Sequence, residues 1–238
     1  MHPWCHCSIA PYEDSEEYEA WLDFLEQGGT TEEWKKYKKG DIPNFKHSLE
    51  GLGFKRYSNK EIRKIAKETA DIAQRHVQMK SKWSGKIVIT NVLDKIGKLW
   101  NCNILTTNKT SPHSILHEQL HAMSISLYPR KRAKEIFQKK RKIEEGAVQL
   151  CAQEISKKEG LHIDPSGYDS ICDSLRKLNR ILKIGSNDYD FSIQLIRVPV
   201  DERLAWLEHK RDARMQADKN ISTKDLYEVN DIIDSMRI

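Results

Sequence analysis

Two histidines four residues apart, with a glutamate directly after the first, are the residues of this chain best suited to metal chemistry. They are His117, Glu118 and His121, in the stretch SPHSILHEQLHAMSISLYPR. On a helix, residues four apart lie on one face, so both imidazoles can reach one zinc ion at about 2.1 Å. Glu118 points at the same region and can take a proton from a metal-activated water. The pattern predicts a Zn²⁺ site with His117 and His121 as ligands and Glu118 as general base.

The third ligand decides the class of site, because a catalytic zinc ion usually has three protein ligands and one open position. The metzincin pattern needs glycine at position 124 and histidine at position 127. The chain has Ser124 and Leu127 there, which excludes that class. The next predicted helix carries the segment IEEGAVQ, in which Glu144 and Glu145 are the available carboxylates.

This combination, HEQLH followed on the next helix by Glu-Glu-Gly, resembles the gluzincin-type metallopeptidases. In that family's pattern the ligand is the glutamate directly before the glycine, which implies Glu145. Glu144 is then a neighbour, and the two glutamates could be exchanged in this assignment. Gly146 has no Cβ and would let the two ligand-bearing helices approach closely. The resemblance implies a zinc metallopeptidase with a protein or peptide substrate.

The predicted order of strand, HExxH helix and glutamate helix also resembles the minimal zincin core, in which an edge strand holds an extended substrate. Residues 98–108 (KLWNCNILTTN) are the predicted edge strand, where a peptide would bind by strand addition. Amide hydrolysis also needs a group that stabilises the oxyanion beyond the metal. The sequence leaves this role open among four residues downstream of the ligands: Tyr168, Tyr189, His162 and Arg203.

Caps, glycines and hydrophobic periodicity predict the elements that must position these residues. A capping box at Ser58 and Glu61 opens a helix that extends to about residue 79. The β-branched run GKIVITN predicts a strand at 85–91. Ser111 and Pro112 are an N-cap and a first-turn proline for the HExxH helix, which should end before Pro129. Further helices are expected at 131–158, 168–184, 199–216 and 223–238.

These elements predict an α+β fold for residues 55–238: a mostly helical, zincin-like domain with a small β-sheet next to the HExxH helix. The five cysteines are odd in number and irregularly spaced, which argues against a disulfide framework. No apolar run is long enough to cross a bilayer, and the first residues lack the pattern of a signal peptide. We therefore expect no membrane partner and a cytoplasmic location.

A basic run lies between the two ligand-bearing segments. It begins at Lys131 and ends at Lys142, with the sequence KRAKEIFQKKRK, and holds much of the chain's formal net charge of +5. Such a run can bind nucleic acid. No aromatic stacking platform is interleaved with it, so a solvated helix face is the favoured interpretation.

The first 40 residues carry motifs of another kind. The segment HPWCHC starts at His2 and is followed by Pro11-Tyr12 and by TTEEWKKY. These motifs resemble the carboxy-terminal tail of Mu F-like phage minor head proteins, the head-morphogenesis family, although the middle of the Cys motif is often Arg there and is His6 here. The resemblance implies that residues 1–45 are such a tail plus linker, on either a carboxy-terminal fragment or the product of a gene whose start lies within a longer reading frame. The Cys-x-Cys spacing is too tight for a usual zinc knuckle.

Three functions follow from these interpretations. The first is a zinc metallopeptidase that acts as a phage- or prophage-encoded effector or toxin domain, virion-associated or delivered into a host cytoplasm. The second is a non-catalytic virion or head-assembly component with phage head or portal proteins as partners. The third is a regulatory peptidase of a mobile element that cleaves a repressor. Glu118 separates the enzymes from the second function, because a structural metal site needs no general base between two of its ligands.

Overall fold

The computed structural model of the chain describes residues 57–89, 98–100, 102–107, 110–218 and 221–237, all within the unit Phe54–Ile238. The Cys motif and the tail predicted for residues 1–45 lie outside the described residues. Seven α-helices form in the described part: α1 (Asn59–Val77), α2 (Pro112–Ser124), α3 (Arg130–Glu159), α4 (Asp169–Leu182), α5 (Asp188–Arg197), α6 (Arg203–Ala217) and α7 (Thr223–Ser235). The predicted mostly helical α+β fold is confirmed at this level, and the zincin-like detail stays a prediction.

Side-chain caps fix the helix starts that position the candidate site. The Ser58 side chain accepts a hydrogen bond from the Glu61 amide and the Glu61 carboxylate accepts one from Ser58, so the predicted capping box at α1 is present. Ser111 caps α2 and Pro112 is its first residue, as predicted. The chain then forms a 3₁₀ turn, Ile125–Leu127, before α3. Helix α3 ends at Gly160, whose φ of 67° is left-handed.

Helix α5 was not predicted from the sequence. Its local signal is the cap: the Asn187 side chain accepts a hydrogen bond from the Asp190 amide. Its apolar residues pack inward, with Phe191 and Leu195 in the core around α3 and α4. A 3₁₀ turn, Val200–Glu202, then leads into α6, so the single helix predicted for 199–216 is two elements.

The small sheet differs from the prediction in one important respect. Strands β1 (Ile87–Ile89), β2 (Lys98–Trp100) and β3 (Asn103–Thr106) have the order β1-β3-β2, with β1 parallel and β2 antiparallel to β3. The prediction of one continuous edge strand at 98–108 is therefore wrong, because this segment holds the two strands β2 and β3. Cys102 adopts a left-handed φ of 66°, which reverses the chain and makes this segment a hairpin. Strands β1 and β2 are the two edges of the described sheet and β3 is central, and both β2 and β3 contact α2.

Helix α3 is the centre of the described fold. Helices α2, α4 and α5 all pack against it, and α1 packs on α2. Its residues 143–156 are all buried, whereas most of 131–142 is exposed. The non-helical backbone angles of Lys140 (φ −125°, ψ 23°) mark a kink between these two halves. Within the residues described, no helix is long and apolar enough to span a membrane.

Gly146 permits a close helix contact, but with a different partner from the one predicted. A Cβ at this position would lie 2.5 Å from Cγ2 of Ile171 and 3.3 Å from Cδ1 of Leu175, both on α4. The close approach predicted between Gly146 and the HExxH helix is wrong, because Gly146 lies on the face of α3 that packs against α4.

Candidate metal centre

Helices α2 and α3 bring three potential ligand atoms together. The Nε2 atoms of His117 and His121, one turn apart on α2, are 3.0 Å apart. Oε2 of Glu145, on α3, lies 3.2 Å from Nε2 of His121 and 3.3 Å from Nε2 of His117. The structure thus groups the three residues predicted as ligands, and this group could hold a metal ion.

The size of this triangle fits a small divalent metal ion. Metal–ligand bonds of about 2.0–2.1 Å in a tetrahedral site separate the ligand atoms by roughly 3.3 Å. The three observed separations run from 3.0 to 3.3 Å. All three side chains are mostly buried, so their interactions are only weakly screened by water.

Gln149 fixes the orientation of the His117 ring. Its side-chain oxygen lies 2.8 Å from Nδ1 of His117 and can only accept, so Nδ1 carries the proton. The Gln149 amide nitrogen, in turn, donates to Nε2 of His113 over 3.2 Å, and Nδ1 of His113 lies 2.9 Å from the Ser156 hydroxyl. Burial lowers the pKa of His113 to about 4, so His113 is neutral and can accept this hydrogen bond.

Glu144 fixes the orientation of the His121 ring in the same way. Nδ1 of His121 donates to Oε1 of Glu144 over 2.9 Å. The Glu144 carboxylate also accepts from the Ser124 hydroxyl, at 2.9 Å, and from the Arg203 guanidinium. Burial raises the pKa of Glu144, but Arg203 and His121 together bring it below its ordinary value. A carboxylate cannot donate, so Nδ1 of His121 carries a proton.

These hydrogen bonds turn three possible ligand atoms toward one another. An imidazole that is protonated on Nδ1 alone has a lone pair on Nε2, which a metal ion can bind beside the Glu145 carboxylate. Burial alone would raise the pKa of Glu145, but the two histidines hold it below its ordinary range. Burial alone would lower the pKa of His121, but Glu145 and Glu144 raise it well above its ordinary value, so in the metal-free protein a proton on Nε2 of His121 supplies the positive charge between these atoms. A metal ion would replace that proton and bind the three ligand atoms.

The geometry gives the two adjacent glutamates different surroundings. Glu145 faces both Nε2 atoms, whereas Glu144 faces the far side of the His121 ring. The other oxygen of Glu145 lies 4.0 Å from Nε of Arg141. Glu144 has no exposed surface and lies in an ion pair with Arg203. This arrangement favours Glu145 as the ligand and Glu144 as the residue that orients His121.

The remaining predicted site residues lie in several places. Glu118 is buried on α2 and is not one of the three grouped ligands. Among the oxyanion candidates, Arg203 is fully buried against Glu144, so it does not face a substrate. The hydroxyl of Tyr189 lies 2.7 Å from Nδ1 of His76. His162 is exposed after α3, and Tyr168 directly precedes α4.

Several residues that support the site were missed from the sequence. His113 was assigned an ordinary first-turn role, although it lies four residues before His117. Gln149 lies four residues after Glu145, on the same face of α3. Both have a helical spacing that could have indicated them. The ring of Phe137, whose centroid lies 5.7 Å from that of His121, and the pairing of Glu144 with Arg203 had no such local signal.

The basic run reaches the edge of the candidate centre. Most of its charged side chains are exposed on the first half of α3, in agreement with a solvated helix face. Arg141, at its end, is 45% exposed and is the basic side chain of the run that lies next to Glu145. Binding of nucleic acid through residues 131–142 stays a prediction.

Comparisons with protein-family models, curated proteins and solved structures find no match to this chain. The resemblances to gluzincin-type metallopeptidases and to phage head-morphogenesis proteins therefore stay predictions from sequence.

Proposed function

We propose that this chain is a zinc-dependent peptidase with Glu118 as general base. One observation carries the proposal: Nε2 of His117, Nε2 of His121 and Oε2 of Glu145 converge within 3.0–3.3 Å of one another. Both histidines are held with Nδ1 as donor, so each presents Nε2 to the same point. A preorganised set of acceptors is what metal binding requires.

Zinc is the metal that this set of donors favours. Two imidazole nitrogens and one carboxylate oxygen make three protein ligands, the number typical of catalytic rather than structural zinc sites. When bound, zinc supplies Lewis-acid chemistry, because it lowers the pKa of water and polarises an amide carbonyl. The residues fit this role, since His117, His121 and Glu145 would hold the ion while Gln149 and Glu144 keep the two rings in place.

Glu118 would perform the proton transfers of hydrolysis. It follows the first ligand directly on α2, and it is 7% exposed. Its carboxylate accepts a proton from the attacking water and gives it to the leaving amine, so one group serves as base and then as acid. A general base has a use in an enzyme and none in a purely structural metal site, so Glu118 favours the peptidase over an assembly component.

The sheet next to α2 supports a peptide as substrate. Strand β2 is an edge strand and contacts the ligand-bearing helix. An extended peptide could add to such an edge through main-chain hydrogen bonds. The phage or mobile-element setting, with a virion, a host cytoplasm or a repressor as location or target, comes from sequence alone and stays a prediction.

Cleavage of a peptide library by the zinc-loaded full chain tests the proposal. We expect mass spectrometry to detect cleaved peptides for the parent. The rate should fall by about 10²–10⁴-fold for Glu118→Gln, while this variant keeps its zinc. The matched control is Glu135→Gln, on the exposed face of α3, which should cleave at the parental rate. Equal cleavage by parent and Glu118→Gln, or no cleavage by zinc-loaded parent, would overturn the peptidase assignment.

A further inference from the structure

Arg203, the first residue of α6, is a charged side chain with no exposed surface. Its Nε donates to the carbonyls of Leu195 and Val198, each at 3.1 Å, and its Nη2 donates to the carbonyl of Ile196 at 3.0 Å. These carbonyls lie at the carboxy-terminal end of α5, where helical carbonyls lack partners within their own helix. Arg203 is therefore held rigidly by backbone groups.

The rest of the guanidinium points toward the candidate metal centre. Nη1 donates to Oε2 of Glu144, and Nη2 donates to the Ser124 hydroxyl over 2.7 Å. The same hydroxyl donates to Oε2 of Glu144 over 2.9 Å, which leaves Oε1 to accept from Nδ1 of His121. An unbroken series of hydrogen bonds thus runs from the end of α5 to the imidazole ring of a ligand.

We infer that Arg203 is a positioning residue for the metal ion, acting through Glu144 on His121. The inference rests on the proposed metal site and assigns to it a residue 58 positions after Glu145 in the chain, on a different helix. A carboxylate buried among apolar helices needs a fixed counter-charge to stay ionised and in one orientation. Arg203 supplies that charge. Its hydrogen bonds to three backbone carbonyls fix the position of the guanidinium, and the guanidinium in turn fixes the Glu144 carboxylate. The imidazole is thereby held with Nε2 toward Glu145.

A second ion pair on α3 offers a matched control. Arg176, on α4, donates to Glu154 with a nitrogen–oxygen distance of 2.9 Å, and both side chains are largely buried. Like the pair of Arg203 with Glu144, it joins α3 to a neighbouring helix. Neither Arg176 nor Glu154 contacts the grouped ligands, so its loss should affect stability without a specific effect on metal binding.

The test compares Arg203→Met with Arg176→Met in the full chain. Circular dichroism first establishes a temperature at which both variants are folded, and competition with a chelator then gives the zinc dissociation constant. We expect zinc to bind 10–100-fold more weakly to Arg203→Met, the range typical of lost partners of metal ligands, and within about twofold of the parent to Arg176→Met. Parental affinity in folded Arg203→Met, or equal losses in both variants, would overturn the inference.

The double variant Glu144→Gln/Arg203→Met keeps the test valid if Arg203→Met does not fold, because it leaves no buried charge without a partner. The amide oxygen at position 144 can still accept a hydrogen bond from His121, but the side chain has no negative charge and no hydrogen bond from the Arg203 guanidinium. We expect its zinc affinity to fall at least tenfold, and parental affinity would contradict a positioning role. A parent chain that binds no zinc would overturn the metal site itself, which distinguishes that failure from a failure of Arg203 alone.

Discussion

Nε2 of His117 lies 3.0 Å from Nε2 of His121, so one metal ion can reach both atoms. The Nδ1 atom of each ring donates to a partner on α3, Gln149 for His117 and Glu144 for His121. Glu145 brings a third acceptor to the same point. The fold therefore holds three ligand atoms around one point, where a proton on His121 lies in the metal-free protein and where a metal ion would replace it, and this is the physical basis of the proposed zinc site.

Gln149→Leu should weaken zinc binding, because it removes the acceptor that holds His117 with Nε2 toward the metal. We expect a 10–100-fold larger dissociation constant, measured by competition with a chelator. Gln153→Leu is the control. Gln153 is also buried on α3, but its side-chain amide donates a hydrogen bond to Asp169 and accepts one from Arg176. Similar zinc affinities in the two variants would contradict the role of Gln149.

Gly146→Ala should destabilise the protein, because its Cβ would lie 2.5 Å from Cγ2 of Ile171. Overpacking of this kind costs about 1–3 kcal/mol, partly offset by the roughly 1 kcal/mol advantage of alanine in a helix. In an Ile171→Ala background the clash is absent, so the same substitution should become neutral or stabilising. Urea unfolding of the four proteins measures the coupling, and additive effects would show that Gly146 is not needed for this contact.

His113 should make the metal-free protein less stable in acid. Burial lowers its pKa to about 4, whereas an unfolded histidine has a pKa of about 6.5, so the unfolded chain binds more protons between these values. Stability then falls as the pH drops through this window, by about 2 kcal/mol between pH 7 and pH 5 from this residue. Urea unfolding in chelator should show a smaller loss over this interval for His113→Gln than for the parent.

The exposed His209 provides the control for this pH effect. His209→Gln removes a histidine of the same type without a buried imidazole, so its stability should follow the parental pH dependence. An identical pH dependence for His113→Gln and His209→Gln would contradict the neutral, buried state of His113.

Local chemistry explains what the sequence could predict. The caps at Ser58 and Ser111 and the stop at Gly160 depend on a few adjacent residues, and the structure has them where they were expected. The candidate ligands were also predictable, because helical spacing puts His117 and His121 on one face whatever else the chain does.

Contacts between distant segments explain what the sequence could not predict. The hairpin within 98–108 depends on the positive φ of Cys102, a residue with no strong preference for that conformation. Gly146 was assigned to the wrong helix contact because its neighbour, Ile171, is set by how α4 packs. Arg203 was predicted as one of four candidates to stabilise the oxyanion, because nothing in the sequence indicates that it forms an ion pair with Glu144.

Zinc content of the purified full chain tests the central claim most directly. The measurement is made in a Cys5→Ser/Cys7→Ser background, so that these two cysteines cannot contribute to the zinc content, after dialysis against zinc and then buffer. We predict one zinc ion per chain, its loss in His117→Ala and Glu145→Gln, and its retention in the exposed controls His209→Ala and Glu135→Gln. A parent chain without zinc, or zinc retained in folded His117→Ala, would contradict the account.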